Sequence, residues 1–222
     1  MDTTRPTDRM FRPTAKGEPA VTRLVLVRHG RTAYNVERRF QGCRDIPLDE
    51  VGRSQARALA SELTGESFDR VLSSDLSRAH ATAAEIADAL GLAVETERRL
   101  RECGYGEWEG RTLVEVRAER AQEYADWLEN SVPAPGGEPY PSVRERVGSL
   151  ADELVATHPD SDLLLVSHSG AIKMLIGHCL GIDIAACRRF YLTEGGHCEV
   201  QHSVELGWRL NYLNRVPRGG GD

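Results

Sequence analysis

Leu24–Gly30 reads LVLVRHG, a short apolar run that stops at Arg28, His29 and Gly30. Leu24–Val27 has the length and branching of a buried strand and is too short for a helix, which would have to hide every face. An arginine and a histidine at the C-terminal end of a strand, followed by a glycine that lets the backbone turn, stand where open α/β sheets build their sites. A second stretch repeats this pattern. Leu163–Gly170 reads LLLVSHSG, an apolar strand followed by His168 and a glycine-containing turn into a helix. If both strands are central and parallel, His29 and His168 emerge on one edge of the sheet. The helix opening near Ser169–Ala171 then turns backbone N–H groups and a positive dipole end toward the same crevice.

Outward from these strands the chain alternates. Asp49–Leu63 carries Val51, Ala56, Leu59, Ala60 and Leu63 at helical spacing, Arg70–Ser73 reads as a strand, and Ser77–Leu90 reads as a helix stopped by Gly91. Ala93–Thr96 is a candidate strand, Leu113–Leu128 a helix, Pro133–Pro141 a loop and Ser142–His158 a helix closed by Pro159. Leu163–Val166 is the second buried strand, Ala171–Leu180 a helix ended by Gly181, and Glu199–Val204 and Trp208–Leu213 form two late strands paired around Gly207. This order predicts a three-layer α/β/α sandwich with a mostly parallel central sheet and room for antiparallel strands at one edge. One domain over residues 21–215 is expected, with flexible tails at 1–20 and 216–222.

Composition narrows the function classes. The 222 residues carry a net charge of −6, which disfavours a nucleic-acid partner or an anionic membrane surface. Only Lys16 and Lys173 are lysines, so nearly all positive charge is arginine, whose planar fork matches phosphate oxygens. The five cysteines have no CxxC spacing, which points to reduced thiols in a cytoplasmic protein rather than a disulfide framework or a zinc cage. Met1–Ala20 lacks the apolar segment of a signal peptide.

Two further stretches complete an inventory. Ser73–Ala83 (SSDLSRAHATA) places Arg78 in the first turn of a helix after a strand end, and Leu100–Gly110 (LRECGYGEWEG) is a glycine-punctuated loop that opens its acids with Glu102. Two arginines, two histidines and a carboxylate are the parts of a phosphoryl-transfer site that needs no metal. With VRHGRTAYN, FQGCRDIPLDEVGRSQA, the Gly136–Glu138 loop and LVSHSGAIKML in the same order, the chain resembles the histidine phosphatase superfamily, also called phosphoglycerate mutase-like, from about Leu24 to Leu213.

That resemblance implies roles. His29 would be the nucleophile that becomes phosphohistidine, which requires a neutral ring, and Arg28, Arg78 and a protonated His168 would surround the phosphoryl oxygens. Glu102 would protonate the leaving alkoxide and later deprotonate water. Asn35, Gln41, Ser169 and Gly170 would help line the phosphate pocket, with Ser169 standing where a glycine is common. Tyr105, Trp108 and the 112–141 segment, which includes Trp127, would form the lid and specificity wall. Arg31 and Arg44 depart from common family choices and are candidates for a second negative group on the substrate. Cys103 follows Glu102 where mutases carry an arginine, and the span to Gly136 is short. Both features resemble the phosphatase branch. The expected partners are a small phosphate ester such as a sugar phosphate or phosphoglycerate, and inorganic phosphate, with no cofactor and no metal. A mutase is the alternative, a catalytically silent binding member a more distant one. The resemblance also allows a homodimer, for which the sequence shows no interface signature.

Overall fold

A computed structural model describes residues 20–130 and 132–217. The expected tails at 1–20 and 216–222 therefore lie almost wholly outside the described residues. The elements run β1 (Val21–Arg28), α1 (Ala33–Val36), α2 (Glu50–Leu63), β2 (Arg70–Ser73), α3 (Ser77–Leu90), β3 (Val94–Thr96), α4 (Leu113–Glu119), α5 (Ala121–Asn130) and α6 (Tyr140–Thr157). They continue with β4 (Asp162–Ser167), α7 (Ser169–Leu180), α8 (Ile184–Arg188), β5 (His197–Ser203) and β6 (Gly207–Arg215). The strands form one six-stranded sheet in the order β3-β2-β4-β1-β5-β6. β3, β2, β4 and β1 are mutually parallel, and β5 runs against both β1 and β6.

The all-apolar reading of β1 and β4 is explained by two covered faces, because alternate residues of a strand point to opposite sides. Leu24 and Leu26 with Leu72, Leu163 and Leu165 pack beneath α6 and α7. Val25 and Val27 with Val71, Leu164 and Val166 pack beneath α2 and α3. All these side chains are at most 5% exposed, so each contributes about 1.5–3 kcal/mol of apolar burial. Asp49 caps α2 by accepting from Gly52 N–H at 2.7 Å. Gly91 and Gly181 take left-handed φ values of 69° and 65°, which is where α3 and α7 stop.

The structure departs from the sequence expectation in the short helices α1 and α8, which were not expected, and at three further places. The helix expected over Leu113–Leu128 is broken at Arg120 (φ −132°, ψ 46°) into α4 and α5. The helix expected from Ser142 starts at Tyr140, because Pro141 falls in the first turn, where a missing N–H leaves no bond unmade. Gly30 does not turn the chain by a left-handed φ. It permits close approach instead: a Cβ there would lie 2.4 Å from the carbonyl oxygen of Gly52, and a Cβ on Gly52 would lie 2.1 Å from that of Arg31. The start of α2 is thereby pressed against the corner that follows β1.

A third apolar cluster stands outside the sheet. Phe40, Trp108, Val116 and Ala134 are buried together, with Tyr105, Tyr124 and Trp127 packed against them. Trp108 is 1% exposed and serves as the core of this wall.

Candidate active site

β1 and β4 are adjacent and in register, with Arg28 opposite Ser167, so the two motif histidines leave the sheet side by side. The His29 and His168 rings stand 5.0 Å apart at an interplanar angle of 60°, and both are almost completely buried. The His29 N–H joins the corner to β4 by donating to Ser167 O at 3.0 Å.

Each ring is fixed by a different partner. His29 Nδ1 lies 2.7 Å from the carbonyl oxygen of Gly30, which can only accept, so Nδ1 carries the proton and Nε2 keeps its lone pair. Burial, then Arg78 and Arg28, hold the His29 pKa well below 6.5, with the Gly30 bond acting in the opposite direction. His168 Nε2 lies 2.9 Å from Ser74 Oγ, while its Nδ1 is buried without a hydrogen-bond partner among the described residues. Burial, Arg78, His29 and Arg28 also push His168 well below 6.5. Burial and the neighbouring arginines thus hold both rings toward the neutral form in the ligand-free pocket, whereas the expectation of a protonated His168 concerns the pocket with a phosphoryl group bound.

Arg78 is the most deeply placed cation, 0% exposed. Its terminal nitrogens donate to Arg44 O at 2.7 Å and Gly42 O at 2.8 Å, and no carboxylate forms an ion pair with it among the described residues. Arg28 is turned toward the 192–194 segment, bonding to Leu192 O and pairing with Glu194 at 2.7 Å. A buried guanidinium whose carboxylates stand off rather than pair with it is costly unless an anion visits it, and Glu102 and Asp45 act on Arg78 only at a distance.

Glu102 sits at the start of α7. Its carboxylate accepts from Cys103 N–H at 2.9 Å, Gly170 N–H at 3.2 Å and Ala171 N–H at 3.2 Å. The helix start read from the sequence as an anion cradle is thus occupied at Gly170 and Ala171 by the chain's own carboxylate. Gly170 permits this approach, since a Cβ there would lie 2.5 Å from Glu102 Oε1. Ser169 is half-buried beside it.

Asn35 and Gln41 meet at Thr32. Their side-chain oxygens lie 2.9 and 3.0 Å from Thr32 Oγ1, and Asn35 completes the capping box of α1. Gln41 is 9% exposed beside the Gly42 carbonyl that holds Arg78. Arg31 is paired with Asp49 at 2.8 Å at the foot of α2.

Several supporting residues escaped the sequence reading. Ser74 fixes His168, and Thr82 accepts from Gly30 N–H at 3.1 Å. Arg146 clasps the Glu102 loop: it donates to the carbonyls of Arg99, Arg101 and Glu102 and pairs with Glu138 at 2.8 Å. Lys173 follows Ser169 by four positions on α7 and lines a cavity beside Glu102; that helical spacing was the signal that could have found it. No group of three or more His, Cys, Asp or Glu side chains among the described residues is arranged to hold a metal ion.

An α/β sheet with paired histidines, a buried arginine and a carboxylate at one edge defines a phosphoryl-handling protein, and the chain belongs to the histidine phosphatase superfamily (branch 1), whose family model matches residues 24–215. Among its relatives is the glucosyl-3-phosphoglycerate phosphatase of Mycobacterium tuberculosis (strain CDC 1551 / Oshkosh), 39% identical over 73% of this chain and 77% of that protein. Another, from Yersinia pestis (strain Pestoides F), bears the name "Probable phosphoglycerate mutase GpmB" and is 36% identical over 83% of this chain and 89% of its own length. A solved structure of mycobacterial glucosyl-3-phosphoglycerate phosphatase in complex with VO3 superimposes with a TM-score of 0.81 at 34% identity, covering 87% of this chain and 99% of that one.

Proposed function

We propose that the protein is a metal-independent phosphomonoesterase that hydrolyses a small phosphate ester through a phosphohistidine. The observation that carries this reading is the pair of contacting histidines, both held toward the neutral form, beside a buried arginine that makes no direct ion pair with a carboxylate among the described residues. His29 Nε2 attacks phosphorus, the P–O bond to the leaving alcohol breaks, and the leaving oxygen takes a proton from Glu102. Water then attacks the phosphohistidine, gives its proton back to Glu102, and frees His29 and inorganic phosphate. Arg78, Arg28 and His168 stabilise the charge on the transferring group. A phosphate dianion among these cations raises the His168 pKa, so the ring gains its proton when substrate arrives.

Asn35, Gln41, Ser169 and Gly170 complete the phosphate pocket in this reading, and residues 112–141 act as its lid. The glucosyl-3-phosphoglycerate phosphatase relative supports a phosphatase acting on a small ester. The five unpaired cysteines support a cytoplasmic location, and no helix among the described residues is long and apolar enough to cross a membrane. A single domain over 21–215 completes the reading, with no nucleic-acid or membrane partner.

The test is phosphate release from a panel of sugar phosphates and phosphoglycerates, with acid quenching to trap an acid-labile phosphoenzyme. Release with a trapped phosphohistidine is expected. Interconversion of phosphoglycerates without release, in the presence of bisphosphoglycerate, would replace the phosphatase reading with the mutase one.

A further inference from the structure

Residues 101–105 belong to no helix or strand, so the place of Glu102 depends on ties from elsewhere in the chain. One guanidinium supplies most of them. Arg146, in the second turn of α6, carries five N–H donors, and every one of them has an acceptor. Nη1 donates to Arg99 O at 2.6 Å and Arg101 O at 2.8 Å, and Nη2 donates to Glu102 O at 3.1 Å. The remaining donors go to one carboxylate, Nε to Glu138 Oε1 at 2.8 Å and Nη2 to Glu138 Oε2 at 3.0 Å. No donor is left for a ligand, so Arg146 acts on the chain itself.

Glu138 orients the fork. Its two-oxygen pairing fixes the direction of the guanidinium, and therefore of the donors aimed at the three carbonyls. Glu138 also holds the same stretch from its far side. Its N–H donates to Gly104 O at 2.8 Å, its carboxylate accepts from Gly104 N–H at 3.4 Å, and its carbonyl accepts from the Cys103 thiol at 3.3 Å. Residues 99–104 are thus bracketed by one ion pair, with Glu102 between its two points of attachment. The Glu102 carboxylate rests separately on N–H groups of Cys103, Gly170 and Ala171. A general acid works only within hydrogen-bond reach of its target, and a displacement of about 1 Å costs up to about 10²-fold in rate.

We propose that the Arg146–Glu138 pair positions Glu102 for proton transfer, and that it does so through the geometry of the fork rather than through its charge. This rests on the phosphatase reading above, in which Glu102 is the proton donor, and adds to it the residues that set the donor's reach.

The experiment compares kcat/KM for p-nitrophenyl phosphate and glycerol phosphate in wild type, Arg146→Met, Arg146→Lys, Glu138→Gln and Glu102→Gln, with melting temperatures for each. The nitrophenolate leaves without a proton and the glycerol alkoxide needs one, so the ratio of the first value to the second reports proton donation. Glu102→Gln is expected to raise that ratio by about 10²-fold. Arg146→Met raises it by about tenfold or more, and Glu138→Gln raises it by less, about fivefold. Arg146→Lys keeps the positive charge that acts on His168 but has fewer donors than there are acceptors, so it behaves like Arg146→Met. Joined to Glu102→Gln, Arg146→Met adds less than about twofold, because the acid it positions is already gone. Ratios within about twofold of wild type in folded Arg146→Lys and Glu138→Gln, or an Arg146→Met effect undiminished by Glu102→Gln, overturn the positioning role and leave the phosphatase reading standing. Should Glu102→Gln leave the ratio unmoved, or wild type release phosphate from neither ester, the reading beneath the proposal falls and the proposal with it.

Discussion

The corners after β1 and after β4 look alike in sequence, yet they hold their histidines by different means. His29 is tied to the backbone through Nδ1, in a corner pressed against the start of α2. His168 is the residue before the first turn of α7 and is tied through Nε2 to the hydroxyl of Ser74, a side chain from the end of another strand. A carbonyl can only accept, so the first tie dictates a tautomer. A hydroxyl can donate or accept, so the second leaves His168 free to change protonation as its surroundings change. One motif thus yields a histidine with a fixed lone pair and a neighbour with an adjustable charge.

The sharpest way to break this comparison is to remove each ring. His29→Ala is expected to lower turnover by at least about 10³-fold with no trapped phosphoenzyme, and His168→Ala by about 10²-fold with phosphoenzyme still formed. Equal losses, with phosphoenzyme absent in both, would show that the roles are not divided. Proton linkage comes next. The folded pKa values of His29 and His168 lie below 6.5, and that of His197 in β5 lies at about 4. The unfolded chain therefore binds more protons below 6.5, and stability that is complete above this pH is lost as pH falls, with His197 alone accounting for on the order of 3 kcal/mol by pH 4. Denaturant midpoints between pH 7.5 and 4 measure this loss, and the acid limb of kcat/KM governed by His29 should also lie below pH 6.5.

Smaller effects separate the corners themselves. Gly30→Ala must displace the backbone of α2 and is expected to cost about 1–3 kcal/mol, with a fall in kcat as His29 shifts. Ser169→Gly, in the half-buried first turn of α7, should cost less than about 1 kcal/mol. Thermal melts that rank these two the other way would mean that the first corner is the more tolerant one.

The sheet was legible because its central strands are apolar on both faces and its helices end at Gly91 and Gly181, which are local signals. What the sequence hid depended on distant contacts. The break at Arg120 interrupts a continuous helical pattern, and α4 and α5 there fold onto the wall built by Phe40, Trp108 and Ala134. Two prolines read as a loop although Pro141 fits the opening of α6. His29 and His168, which the structure brings together, stand at legible strand ends, whereas Ser74, Thr82 and Arg146 act through partners far along the chain and carry no local pattern. The pull on His168 toward its neutral form was not legible either, because its burial and the approach of Arg78 and Arg28 arise only in the fold.

The facing glycines at positions 30 and 52 also bear on how such a sequence can drift. A substitution at either one meets main chain rather than a side chain, so no second change nearby can trim the obstruction away. Compensation would require moving a whole helix, and with it Asp49, Arg31 and the corner that carries His29. The junction is therefore a fixed point of the molecule's mutational history, one that neutral exploration can reach from neither side.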